Sequence, residues 1–487
     1  MLGDPGLPQK LAALHQCIDA PEKVDFMQNE SPAVASSYFL NGKQLGELLK
    51  IALPLIISTG FFSLQLFIDR TLLFAYSSDS AAAAMSAGTA FWTMICFPTG
   101  LVGYVYVFVA QYYGAKREMR IGVALWQSFW LTLGMIPLFL LGWWLMPSLF
   151  VYSEHPANVI ALETSYFRWL VWAGPSTVIT AAMSGFFSGL GKTAIVMLTD
   201  ILCTLVNVVL SIVLVFGYGP FPEMGIDGAA LATVVASWLH IPVLGVAIFR
   251  PKNITQYGLL AWGYDRELIG RLVRYGWPAG VQMLSEAGAF FVIMLKVGKL
   301  GELPAAATTL ALGVNILAFV PMMGLSQALG VLVGQHLTEG KVELAVRTVR
   351  TCLLISAVYT TGFAIVYWFF PDQVLAIYSM SAKVEQFAAI EPLVKPLLVF
   401  IAIYCILDGF QIVFVGAIKG AGDTFYVLMG TMLTSAAAIA FGIIGGQIWG
   451  ESLNWWWIVI TVWVIAMMFA FGIRYWLGYW KKMRVIE

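Results

Sequence analysis

Leu397-Leu398-Val399-Phe400-Ile401-Ala402-Ile403-Tyr404-Cys405-Ile406-Leu407-Asp408-Gly409-Phe410-Gln411-Ile412-Val413-Phe414-Val415-Gly416 is an apolar run broken by one charge. At about 1.5 Å per residue, a helix of this length crosses the roughly 30 Å hydrocarbon core of a bilayer. Asp408 then lies about midway. A carboxylate at the centre of a membrane helix costs about 2.5–3.5 kcal/mol on insertion scales. Such a charge is expected to face a water-filled pathway rather than lipid. Glu286 is buried in the same manner within the apolar segment from Gly276 to Val297.

Similar stretches recur along the chain, and twelve are predicted to span: 46–69, 81–110, 121–146, 159–184, 194–217, 226–249, 274–297, 305–335, 349–370, 393–417, 425–448 and 455–478. Of the 487 residues, 60% are hydrophobic and only 11% are charged, which excludes an ordinary soluble protein. The segments are too long for the strands of an outer-membrane barrel. The fold class is therefore an all-α polytopic membrane protein. Of the 27 Lys and Arg, all but Arg70, Arg168, Lys296, Lys299, Lys383 and Lys395 fall on one side of the predicted spans. The positive-inside rule places that side, with both termini, in the cytoplasm of an inner (plasma) membrane. Residues 1–45 lack the charge and hydropathy pattern of a signal peptide and are expected to be a cytoplasmic tail.

Shifting the sequence by 224 positions lays Pro54 on Pro278, Gly100 on Gly324 and Gln111 on Gln335. At 231, Gly189-Leu190-Gly191-Lys192-Thr193 falls on Gly420-Ala421-Gly422-Asp423-Thr424, a drift that a seven-residue insertion explains. The chain reads as a tandem duplication of six helices. Because six is even, the copies share one topology and form two parallel bundles about an axis along the membrane normal. The boundaries expected are a tail at 1–45, bundles at 46–250 and 276–487, and a cytoplasmic linker at 251–275. Two bundles around a cleft can rock about a midplane site, which makes transport the natural reading.

Gln282 stands one helical turn before Glu286, and Gln411 follows Asp408 at the third position, so each acid shares a face with an amide. The two glutamines are read as lining a substrate cavity. Carboxylates are hard ligands suited to Na⁺ or a proton, and residue types alone leave that choice open. Asp69, Asn207, Ser211 and Thr233 form a second polar set in the first half, and Asp200 is a further candidate. The many aromatic and Met side chains supply material for binding organic cations. Gly189-Leu190-Gly191-Lys192-Thr193 is not a phosphate loop, since Phe186 stands where the upstream glycine belongs. Without an ATPase domain, uphill transport must draw on an ion gradient. The five cysteines are far apart, and His15, His155, His240 and His336 read as isolated, so neither an enzyme nor a redox site is expected.

Leu53-Pro54 with Asp69, Ala110-Gln111-Tyr112-Tyr113-Gly114, Ser188-Gly189-Leu190-Gly191-Lys192-Thr193, Gly225-Ile226-Asp227-Gly228-Ala229-Ala230-Leu231-Ala232-Thr233, Val333-Gly334-Gln335-His336 and Lys419-Gly420-Ala421-Gly422-Asp423-Thr424 occur in one order. Over nearly all of 46–480 the chain resembles the multidrug and toxic compound extrusion (MATE) family, particularly its bacterial NorM-like branch. The resemblance implies a V-shaped pair of bundles exporting cationic, amphipathic compounds in exchange for Na⁺ or H⁺, with no other cofactor. It assigns cation coupling to Glu286 and Asp408, where Na⁺ would bind, and to an amino-terminal site at Asp69, Asn207 and Thr233. Ser211 departs from the Asp of some relatives there, and Lys419 replaces the usual Arg. A monomer without nucleic-acid partners is expected. The alternatives are a flippase of lipid-linked saccharides, which would need a broadly basic cavity, and an exporter of a dedicated metabolite.

Overall fold

The computed structural model describes residues 42–153, 155–379 and 384–486. The expected tail up to residue 41, with His15 and Cys17, and also Lys383, lie outside the described residues. Among the described residues there is no strand. The spans are α1 (Gln44–Tyr76), α2 (Ser78–Gly114), α3 (Met119–Phe150), α4 (Ala157–Val171 and Ala173–Gly189, bent by 40°), α5 (Thr193–Phe216) and α6 (Ile226–Ile248) in the first half. The second half holds α7 (Arg266–Gly298), α8 (Glu302–Thr338), α9 (Val342–Phe369), α10 (Ala389–Ala421), α11 (Thr424–Trp449) and α12 (Leu453–Trp476). Among the described residues eleven helices are long and apolar enough to cross a membrane, and the bent pair, taken as one span, makes the twelfth. Several exceed the predicted segments because helix continues into polar sequence beyond the apolar run. One such extension changes the reading of the linker: it contains a short helix, Pro251–Tyr257, and α7 already begins at Arg266.

Two apolar cores follow the duplication, with an exchange. Leu48, Ile51, Ala52 and Leu55 at the start of α1 belong to the core of the second half. Leu268, Leu272 and Ala279 at the start of α7 belong to the core of the first. The two helices thus cross over near the end of the bundle that carries most of the Lys and Arg, called the basic end below.

Lipid tails are as apolar as leucine, so helices in a membrane are held by close packing and interhelical hydrogen bonds rather than by escape from water. The seam between the halves uses both, each time in pairs related by the repeat. A Cβ on Gly100 of α2 would lie 2.6 Å from the Gly280 Cα of α7, and one on Gly324 of α8 would lie 2.7 Å from the Ile56 nitrogen of α1. The second contact is the first shifted by one repeat. The last carbonyls of a helix have no partner within it. Gln111 Nε2 donates to the carbonyls of Gly420 (3.1 Å) and Ala421 (3.3 Å), which close α10. Its counterpart Gln335 donates to the Gly189 carbonyl that closes α4, at 2.8 Å. Tyr104 Oη also donates to the Lys419 carbonyl at 2.6 Å.

The Gly-x-Gly motifs therefore have structural duties. Gly191 and Gly422 take positive φ (71° and 113°) to end the helices, while Gly189 and Gly420 let neighbouring backbone come close. A carboxy-terminal segment adds to the seam: the Val485 N–H donates to Gln111 Oε1 at 2.8 Å, and Arg271 Nη1 donates to the Ile486 carbonyl at 2.8 Å. Val485 and Ile486 are buried in the core of the first half.

Candidate functional site

In the second half the polar groups converge on α7 and α10. The Gln282 Nε2 donates to Glu286 Oε2 at 2.7 Å, and Lys419 Nζ donates to Gln282 Oε1 at 2.6 Å. The amide thus relays between a lysine on α10 and the acid on α7. Glu286 lies within electrostatic range of both Lys419 and Asp408. Asp408 lines a small cavity of about 10 Å³ with Asn315, Ala318, Phe319, Met322, Thr360 and Cys405, roughly the room one water needs. Gln411, one turn on from Asp408, is buried.

Glu286 therefore has an internal counter-charge through Gln282, whereas the charge that acts on Asp408 is another carboxylate. Sequence reasoning missed Lys419 as part of this site. No signal along α10 marks it, because the amide and the acid it serves stand on α7.

The predicted amino-terminal cage resolves into two hydrogen-bonded pairs. Ser211 Oγ donates to Asp69 Oδ1 at 3.0 Å, and Asn207 Nδ2 to Thr233 Oγ1 at 3.4 Å. Thr233 in turn donates to the Ala229 carbonyl at 3.0 Å. Asp69 is only 8% exposed, so it is held inside the bundle by Ser211 while its neighbour Arg70 is exposed. Asn207 Oδ1 is buried without a hydrogen-bond partner. A buried acceptor left unpaired is costly. Among the described residues no three His, Cys, Asp or Glu converge as a metal site, so a cation at either place would draw on amide and hydroxyl oxygens besides carboxylates.

Two of the histidines read as isolated are not. His240 Nε2 lies 3.3 Å from Asp200 Oδ1, and His155 Nδ1 lies 2.8 Å from Glu163 Oε1. The acidic partner of His240 comes from a different helix, beyond the reach of spacing along one segment. Lys192, in the motif that mimics a phosphate loop, sits over the Tyr257 ring at 5.3 Å, and Asp423 at the equivalent turn binds Arg474 at 2.7 Å.

The MatE family model matches residues 54–213 and 278–444, two blocks that begin at the repeated prolines and together cover most of the chain. The chain belongs to the MatE family. Its relatives include the "Probable multidrug resistance protein NorM" of Xanthomonas axonopodis pv. citri (strain 306), 26% identical over 87% of this chain and 92% of that protein. The protein of the same name in Xanthomonas campestris pv. campestris is 28% identical over 77% of this chain and 81% of its own length. Among solved structures, the eukaryotic MATE transporter AtDTX14 superposes with a TM-score of 0.79 over 90% of this chain and 97% of its own, at 21% identity. An outward-facing multidrug resistance MATE transporter gives 0.81 over 94% and 100%, at 20% identity. These likenesses establish the MatE fold for the twin bundles.

Proposed function

We propose that this MatE protein is a secondary active antiporter that exports cationic, amphipathic organic compounds in exchange for Na⁺ or H⁺ by alternating access. The observation that carries the reading is the Lys419–Gln282–Glu286 chain, within electrostatic range of Asp408. A scaffold gains nothing from placing two carboxylates in mutual range inside a bilayer, whereas an exchanger needs a site whose charge changes with each half-cycle. An incoming cation or proton on Asp408 relieves its repulsion with Glu286, and its departure restores an acidic site for the organic cation. Exchange follows when the coupling ion and the substrate favour the two facing states differently.

Glu286 and Asp408 serve as the principal coupling pair in this reading, with Gln282 and Gln411 beside the substrate cavity. Asp69, Asn207, Ser211 and Thr233 form the second cation site, supported by the unpaired Asn207 oxygen. The basic end faces the cytoplasm of the plasma membrane, the protein acts as a monomer, and it carries out no covalent chemistry. The hydrogen bonds joining the halves gather at that end, which fits a state sealed toward the cytoplasm.

The test is dye transport in proteoliposomes with Na⁺ and pH gradients imposed separately. The parent should move dye under at least one gradient. Glu286→Gln and Asp408→Asn should each lower the driven rate about 10-fold or more, a loss within the usual range of coupling energies. Unchanged driven rates in both variants would remove these residues from the mechanism.

A further inference from the structure

Helices α1 and α5 both run outward from the basic end, and polar contacts join them at successive levels. Thr193 Oγ1 donates to the Ile51 carbonyl at 3.0 Å, Ser58 Oγ donates to Asp200 Oδ2, Thr204 Oγ1 donates to Gln65 Oε1 at 3.4 Å, and Ser211 Oγ donates to Asp69 Oδ1 at 3.0 Å. The steps along each helix are four or seven residues, the spacing that keeps one face toward a partner. A hydrophilic seam therefore runs from the Asp69 pair to the basic face through a span that is otherwise apolar.

His240 of α6 meets this seam at Asp200. Its Nε2 lies 3.3 Å from Asp200 Oδ1, and its Nδ1 lies 2.9 Å from the Ala236 carbonyl. A carbonyl only accepts, so Nδ1 must carry a hydrogen. The second contact then needs one proton between Nε2 and the carboxyl, on either partner. Ser58 fills the other carboxyl oxygen. This cluster holds a single shared proton, and removing it would set a lone pair against a carboxylate.

The surroundings isolate that proton electrically. The titratable groups facing His240 are Asp200 and the buried Cys203, both on α5. From α1 the cluster receives only the uncharged Ser58; the other charged residues of that span are Glu47, Lys50, Asp69 and Arg70, toward its ends. Both halves of α4 pack on α6: Ala173–Gly189 has no charged residue, and Ala157–Val171 carries Glu163, Tyr166 and Arg168 near the opposite end. Asp227, the remaining acid of α6, is bound by Ser165 at 2.6 Å. The side chains of His240 and Asp200 are 19% and 23% exposed.

We propose that Ser58, Asp200 and His240 form a proton relay on the α1–α5 seam, between the Asp69 pair and the basic face. It lies about 16 Å from Ser211 and about 10 Å from the start of α5 at 1.5 Å per residue. In each passage the pair takes one proton from the Asp69 side and gives one to water at the basic face, so it returns to its starting charge. The proposal rests on the exporter reading above with protons as the coupling ion.

The test compares the parent with His240→Gln and Asp200→Asn in proteoliposomes, reading pH-driven dye transport and gradient-free dye counterflow side by side. The pH at the basic face is varied from about 5.5 to about 8.5, across the imidazole range. The expected result is a driven rate lowered about 10-fold, with a flattened pH profile, while counterflow stays within about 2-fold of the parent. Parental driven rates and profiles in both variants overturn the relay. Equal loss of counterflow also overturns it, since that marks a structural role. A parent that exchanges dye but ignores the pH gradient overturns the relay and leaves the exporter standing; a parent that moves no dye sinks the exporter itself.

Discussion

Lys419 shows how much one side chain can alter an acid inside a membrane. Without it, Glu286 would be a half-buried carboxylate with only an amide for company. Removing one partner of such an amide-bridged charge pair leaves the other charge uncompensated and is destabilising, whereas replacing both is often neutral. Lys419→Met should therefore lower thermal stability in detergent, and Lys419→Met with Glu286→Gln should recover most of the loss. Equal melting points for the single and double variants would show that the lysine and the acid are not coupled. The acids themselves were readable from sequence, since a charge in the middle of an apolar run has few explanations. Lys419 and His240 were not, because their significance lies on other helices and one segment's periodicity contains no information about its neighbour.

At the level of helices, the chain states its repeats openly and its boundaries poorly. Spans were legible because twenty apolar residues have few other uses, while the polar turns that extend α7 back to Arg266 resemble loop sequence. What starts α7 is a cap: Asp265 Oδ1 accepts the Leu268 N–H at 3.0 Å, and Arg120 Nη1 binds its other oxygen at 2.8 Å. The Leu268 hydrogen bond first, and then Arg120, hold this carboxyl below the usual carboxylate range. A depressed folded value means stability that is present above about pH 4, the unfolded value, and lost as pH falls through the folded one. Asp265→Ala should cost about 1 kcal/mol at neutral pH. Thermal melts at decreasing pH should show that penalty shrinking below about pH 4; a constant penalty would refute the electrostatic part. The glycine contacts make a second case. Gly100→Val places a Cβ 2.6 Å from the Gly280 Cα, and Gly324→Val places one 2.7 Å from the Ile56 nitrogen. Each should cost about 1–3 kcal/mol by overpacking. Similar losses in melting temperature are expected because the two sites are repeats of each other, and a loss at only one would argue against an equal share in the seam.

Over the whole molecule, the segment around Val485 links the second bundle's end to the first bundle's core. Exchange between outward and inward states must withdraw it, since Gln111 and Arg271 hold it across the seam. Val485→Asp should tip the balance toward a molecule open at the basic end by about 1–3 kcal/mol, the cost of an unpaired buried polar group. Thiol labelling of a cysteine placed at Thr338 would rise several-fold in that variant. Labelling at the parental rate would mean the segment is passive. Nothing in the sequence signals this role, because Met483-Arg484-Val485-Ile486 is too short to show a pattern and its partners lie hundreds of residues away.

The twinned fastening of the halves, Gly100 on Gly280 and Gly324 on Ile56, with Gln111 and Gln335 each clasping the opposite bundle, limits how the machine can move. Two equal latches set side by side cannot be undone one at a time without skewing the bundles against each other. Release of either loads the other, so both should let go together, and the inner gate should behave as a switch with two positions rather than as a valve that opens by degrees.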